Sequence, residues 1–148
     1  MGLGRAEGRL NMDRRGFLGQ SALGALAVLA AGSCTVTDSV TGPGLGQDVV
    51  VTLADYPVLA SPGGIARISG VSPPLALVNE GNDNFSAFSL VCPHAGGTVQ
   101  STGSSFVCPV HGARFDANGN WTGGQRTSNL RQFATAYDAG AGTVKVTG

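Results

Sequence analysis

Histidine, cysteine and charge are all scarce in this chain. Its 148 residues include two His and three Cys. Only 12% of residues are charged, nine basic against nine acidic, so the formal net charge is zero. A nucleic-acid binder would show a basic stripe, and this balance excludes nucleic acid as a partner. Low charge beside 42% apolar residues also excludes an intrinsically disordered chain, which needs the opposite balance. Aromatics are few, 6% with one Trp, so the core inventory is thin. Domains of such size often lean on a metal or on disulfides. Glycine, by contrast, is abundant at 24 residues, roughly twice ordinary usage. The length suits one domain, and the glycine-rich composition suits a turn-rich, mostly β protein.

The first third reads as a leader. Arg5, Arg9, Arg14 and Arg15 outweigh Glu7 and Asp13, and Phe17 to Ala31 follows without a charge. A basic head before an apolar run is the layout of an export signal. As a permanent transmembrane helix the run is short, since spanning takes about 20 residues. Arg14-Arg15-Gly16-Phe17-Leu18 resembles the twin-arginine motif, with Asp13 in place of the usual Ser or Thr. That resemblance implies export of a folded protein, often one already carrying a cofactor. Leu29 to Cys34 resembles a lipobox, with Ala31 where Leu is expected. Acylation of Cys34, simple cleavage and an uncleaved anchor all remain open. The expected organisation is a helical signal or anchor segment over 1–34, a flexible Gly/Ser/Thr linker over 35–47, and one domain over 48–148.

That domain reads as all-β. Strand signals run over Asp48–Leu53, Ile65–Ser69, Leu75–Asn79, Phe85–Cys92, Thr98–Gln100, Ser105–Cys108, Gln132–Tyr137 and Thr143–Val146. Turn clusters separate them, among them Gly81-Asn82-Asp83-Asn84 and Ser101-Thr102-Gly103-Ser104. Phe88, Leu90 and Cys92 share one face by the period-2 rule. Short strands at such spacing predict a small antiparallel sandwich or barrel. No helix is expected after residue 47.

Both histidines and two of the cysteines fall in two short segments. One is Cys92-Pro93-His94-Ala95-Gly96-Gly97, the other Cys108-Pro109-Val110-His111-Gly112-Ala113. Each supplies a thiol and an imidazole, a donor set that suits zinc or iron. Two chemistries follow. A closed Cys2His2 zinc site would be structural. A [2Fe–2S] cluster would take two Cys on one iron and two His on the other. The spacing, Cys-x-His then Cys-x-x-His with Pro after each Cys, resembles the Rieske motif. Ser89 to His94, Phe106 to Asp116 and Gly124 to Phe133 all resemble Rieske segments, and the likeness covers roughly Asp48 to Gly148.

The resemblance implies that Cys92 and Cys108 hold a buried iron while His94 and His111 hold the outer one. It implies one-electron transfer at the imidazole edge, with a docking surface around Ala95, Gly96, Val110 and Gly112. The departures matter as well. High-potential members have a disulfide where Gly97 and Val110 stand, and hydroxyl donors where Ala113 and Phe115 stand. Gln125 replaces a typical Pro. Losing hydroxyl donors disfavours the more negative reduced cluster, so the expected potential is low in the family range, about −150 to +100 mV.

With both His in this set, no Ser–His–Asp grouping remains. Trp121 is expected as a packed aromatic, and Arg114 and Arg126 as solvated surface. The reading is therefore an exported electron carrier or electron-transfer subunit, at the periplasmic or outer face of a bacterial membrane. Its partner would be a cytochrome, a quinol-oxidising complex or a molybdoenzyme subunit. The rivals are a Rieske subunit of a quinol-oxidising cytochrome bc-type complex and a Cys2His2 zinc domain.

Overall fold

The computed structural model describes residues 43–148. The expected leader over 1–34, its helix and most of the linker lie outside the described residues.

Ten strands form two antiparallel sheets. β1 (Val49–Thr52), β2 (Ile65–Ile68), β3 (Leu75–Gly81), β4 (Asn84–Ser89), β9 (Gln132–Asp138) and β10 (Thr143–Thr147) make the larger one, in the order β1-β10-β9-β4-β3-β2. β5 (Gln100–Ser101), β6 (Phe106–Val107), β7 (Arg114–Phe115) and β8 (Trp121–Gly123) make the smaller one in sequence order. The smaller sheet is inserted between β4 and β9. Two 3-10 turns, Leu53–Asp55 and Pro57–Ala60, are the helical elements among the described residues. Among those residues no helix is long and apolar enough to cross a membrane. The all-β expectation holds.

Alternation along the strands builds two cores. Leu75, Leu77, Ala87, Ala66 and Ile68 face one way and meet Val144, Val146, Phe133 and Val51. Ala76, Val78, Phe88 and Ile65 face the other way and meet the insert through Leu90, Val99, Phe106, Phe115 and Leu130. The central strands are thus buried on both faces, which is why β3 opens with an unbroken apolar run. Each large side chain so buried contributes about 1.5–3 kcal/mol.

Turn chemistry sets the hairpins. Asn82 and Asp83 have φ of 52° and 62° at the β3–β4 turn, the left-handed pair a tight hairpin needs. The strand expected over Phe85–Cys92 ends at Ser89: Leu90 N–H still donates in register to the Pro74 carbonyl at 2.8 Å, but proline has no N–H to return the bond. Phe88, Leu90 and Cys92 nevertheless share one core, as the period-2 rule requires. β7 and β8 were not expected, since two or three residues carry no readable period. Before β1, Leu45 packs against the core of Leu75, Leu77, Val144 and Phe133.

Candidate metal centre

The two Cys-His segments fold as the same turn. Cys92 N–H donates to the Gly97 carbonyl at 2.7 Å, and Gly96 N–H returns to the Cys92 carbonyl at 2.8 Å. Cys108 N–H donates to the Ala113 carbonyl at 2.8 Å, and Gly112 N–H returns to the Cys108 carbonyl at 2.9 Å. Gly96 and Gly112 occupy equivalent places, with φ of 72° and 76°. That left-handed geometry explains the shared Cys-Pro-x-x-Gly pattern. The histidine is the third residue of the first turn and the fourth of the second.

This geometry sorts the donors by depth. Cys92 and Cys108 are 2% and 1% exposed and belong to the insert's core. Their thiols lie within hydrogen-bonding reach of each other. His94 and His111 are exposed, their ring centroids 4.8 Å apart and the planes at 87°. All four expected residues are therefore brought to one end of the insert, thiols beneath imidazoles.

Burial pushes the Cys92 thiol up from its ordinary pKa, and the Cys108 thiol adds to this. The backbone N–H groups of His94 and Ala95 aim at its sulfur and act against the rise. Amides pointed at sulfur stabilise negative charge there, which a liganding thiolate needs.

The donor arrangement also tests the two metal chemistries. A Cys2His2 zinc site needs all four donors about 2.0–2.3 Å from one ion. Here the four donors are split by depth, two thiols in the core and two imidazoles at the surface. A paired thiol layer and a paired imidazole layer fit a binuclear cluster, which takes its ligands in twos.

The loops touch directly. A Cβ on Gly97 would lie 2.7 Å from Val110 Cγ2 and 3.3 Å from Cys108 Sγ. The third segment closes over the second loop: a Cβ on Gly124 would lie 1.8 Å from the Gly112 carbonyl oxygen. Only glycine permits that approach, and its φ of 72° favours glycine again. Trp121 anchors the same segment, its indole Nε1–H donating to the Gln125 carbonyl at 2.9 Å. Trp121 N–H meets Asn129 Oδ1 at 2.9 Å, and Leu130 N–H meets the Gly119 carbonyl at 2.8 Å. Trp121 is packed against the insert's core, as expected of it, and holds the covering segment as well.

Asn129 was missed by sequence reasoning, whereas the closeness of Gly97 and Val110 is what the resemblance implied, since high-potential members join those places by a disulfide. The repeated Cys-Pro with Gly after each His is the sequence signal for these two like turns. Ala113 and Phe115 are both fully buried beside the loops, so no side-chain hydroxyl is offered at either place.

Comparison with known proteins agrees with this architecture. The family model for the Rieske [2Fe-2S] domain matches residues 49–134. The chain is 27% identical over 147 residues to the cytochrome b6-f complex iron-sulfur subunit of Chlorobaculum tepidum, covering 96% of this chain and 81% of that one. The crystal structure of the plasma membrane Rieske protein PetC3 from Synechocystis PCC 6803 superposes with a TM-score of 0.55 at 30% identity, over 68% of this chain and 99% of that one. Naphthalene 1,2-dioxygenase shares the fold, with a TM-score of 0.55 at 18% identity over 68% of this chain and 26% of that one.

Proposed function

Because the chain belongs to the Rieske [2Fe-2S] domain family, we propose that Cys92, His94, Cys108 and His111 hold its cluster. The chain's function is one-electron transfer through a Rieske [2Fe-2S] cluster, and the zinc reading is not supported. When bound, such a cluster supplies a one-electron couple.

The chain's own residues do the rest. Cys92 and Cys108 offer two buried sulfurs from one layer, where the core keeps water out. The His94 and Ala95 amides lower the cost of negative charge at Cys92. His94 and His111 lie at the surface, so electrons cross the shortest distance to a partner at that edge. The hydrophobic side chains Ala113 and Phe115 add no donor, which supports a potential low in the family range, about −150 to +100 mV. The observation that carries the reading is the pair of matching turns, with thiols below and imidazoles above.

We further propose an exported carrier or electron-transfer subunit, with residues 1–34 as its leader or anchor, 35–47 as a linker and 48–148 as the working domain. The basic-then-apolar pattern and a plasma-membrane relative support this placement. A second reading, the Rieske subunit of a quinol-oxidising complex, is favoured by the likeness to a cytochrome b6-f subunit. Gly97, Val110, Ala113 and Phe115 count against it.

Absorption and electron paramagnetic resonance of the purified protein test the assignment. His111→Ala is expected to lose the cluster signal while the chain stays folded. A normal signal in that variant would refute the ligand set. A midpoint near +300 mV, with quinol-dependent reduction in membranes, would favour the second reading over the first.

A further inference from the structure

Charge is unevenly placed along the domain. Strand register puts the Asp138–Thr143 turn, Thr52 and the Gly81–Asn84 turn at one end of the larger sheet. Asp55, Glu80, Asp83 and Asp138 are all exposed at or beside these turns. Ser89 and Gln132 lie at the opposite end, where the chain enters and leaves the insert.

The insert carries the opposite sign. Between residues 84 and 131 the basic residues are Arg114, Arg126 and Arg131, and the one carboxylate is Asp116. Asp116 is already engaged: its Oδ1 accepts from the Asn118 and Asn120 amides, both at 2.9 Å, and its Oδ2 from Asn120 Nδ2 at 3.2 Å. Arg131 lies over the Phe133 ring at 5.2 Å. Arg114 and Arg126 are exposed. Arg114 follows the His111 turn by two residues, and Arg126 lies two residues beyond Gly124, which rests on Gly112. Both therefore border the loop that carries His111. The tip itself, Pro93–Gly97 and Pro109–Gly112, holds no Lys, Arg, Asp or Glu, and Val110 is 58% exposed. Asp48, beyond Val49 toward the Gln132 end of the sheet, is neutralised by Lys145 at 2.7 Å.

We propose that the face carrying His94 and His111 docks a redox protein with an acidic surface, with Arg114 and Arg126 as the charged contacts. The inference rests on electron transfer at the imidazole edge. Opposite charges at the two ends orient the approach, so an acidic partner meets the cluster end first and the carboxylate end repels it. The uncharged tip permits close contact, while the arginines at its rim set the association rate.

The test uses the full chain with its cluster, reduced by dithionite and mixed with an oxidised c-type cytochrome. One electron leaves the chain and one reduces the cytochrome. An acidic and a basic cytochrome, both able to accept the electron, are compared from low to high salt. The rate with the acidic cytochrome is expected to fall about tenfold as salt screens the charges. Arg114→Glu with Arg126→Glu is expected to cost about tenfold at low salt and to weaken equilibrium binding, measured calorimetrically. At about 0.1 M salt, where charges beyond about 10 Å are largely screened, Glu80→Lys with Asp83→Lys at the far end is expected to change the rate less than about twofold, while the arginine pair still slows it. Transfer that ignores the arginine pair, or responds as strongly to the far-end pair, overturns the docking surface alone. Transfer to neither cytochrome, from wild-type chain with an intact cluster signal, overturns the electron-transfer reading at this edge and the surface with it.

Discussion

Replacing Gly97 and Val110 together by cysteine should cross-link the two Cys-His loops. A Cβ built on Gly97 lies 3.4 Å from Val110 Cβ. Disulfides hold their Cβ atoms about 3.5–4.5 Å apart, so a shift of a few tenths of an ångström suffices. Val110→Cys also removes the Cγ2 that would crowd the new Cβ at 2.7 Å. The bridge would close a loop of about 14 residues, for which chain entropy predicts about 3 kcal/mol of stabilisation. With a urea slope of about 1–3 kcal/mol per molar, the midpoint should rise by about 1–3 M. The fluorescence of Trp121, the chain's one tryptophan, reports unfolding of the loaded protein. Mass spectrometry establishes the bridge, and the Gly97→Ala/Val110→Ala pair serves as the unbridged reference. Failure of the bridge to form under oxidising conditions would show the loops to be farther apart than described. A bridged protein with an unchanged or lower midpoint would refute the entropic argument.

Other expectations follow from the same contacts. Ala113→Ser and Phe115→Tyr each place a hydroxyl where both native side chains are fully buried. A hydrogen bond stronger by about 1–2 kcal/mol in the reduced state raises a one-electron potential by about 40–90 mV. Redox titration with no rise for either variant would remove the hydroxyl explanation of a low potential. Gly124→Ala forces a Cβ to within 1.8 Å of the Gly112 carbonyl, and cluster content should fall sharply. Gly103→Ala, which meets nothing within 4 Å, should cost only about 1 kcal/mol through its φ of 101°; equal losses of iron in the two would deny the close approach. Trp121→Phe keeps the ring but drops the Nε1–H bond to Gln125, so the cluster should remain while stability falls by about 1 kcal/mol. Loss of the cluster in that variant would make the indole part of the site itself.

The two Cys-His segments could be picked out from sequence because cysteine and histidine are so rare here that their placement is itself a pattern. The strands were legible wherever apolar alternation ran for four residues or more, as in Leu75–Gly81. β7 and β8 were illegible because their pairing partners, β6 and one another, lie across turns that carry no hydrophobic period. Asn129 looked like an ordinary loop residue. Its side chain joins Trp121 N–H to Asn120 Oδ1, a connection spanning nine residues that spacing cannot reveal.

Sequence alone determined the chemistry: which side chains can hold a metal, that they come in two like turns, and that the domain is built of strands. Those are local properties of residue type and period. Tertiary structure decided how those residues are set in space. It set two thiols in the core and two imidazoles at the surface, laid Gly124 on Gly112, and gathered carboxylates at one end of the sheet and arginines near the other. Such relations depend on which strands pair and in what register, and residues far apart in the chain acquire them only when the sheets close.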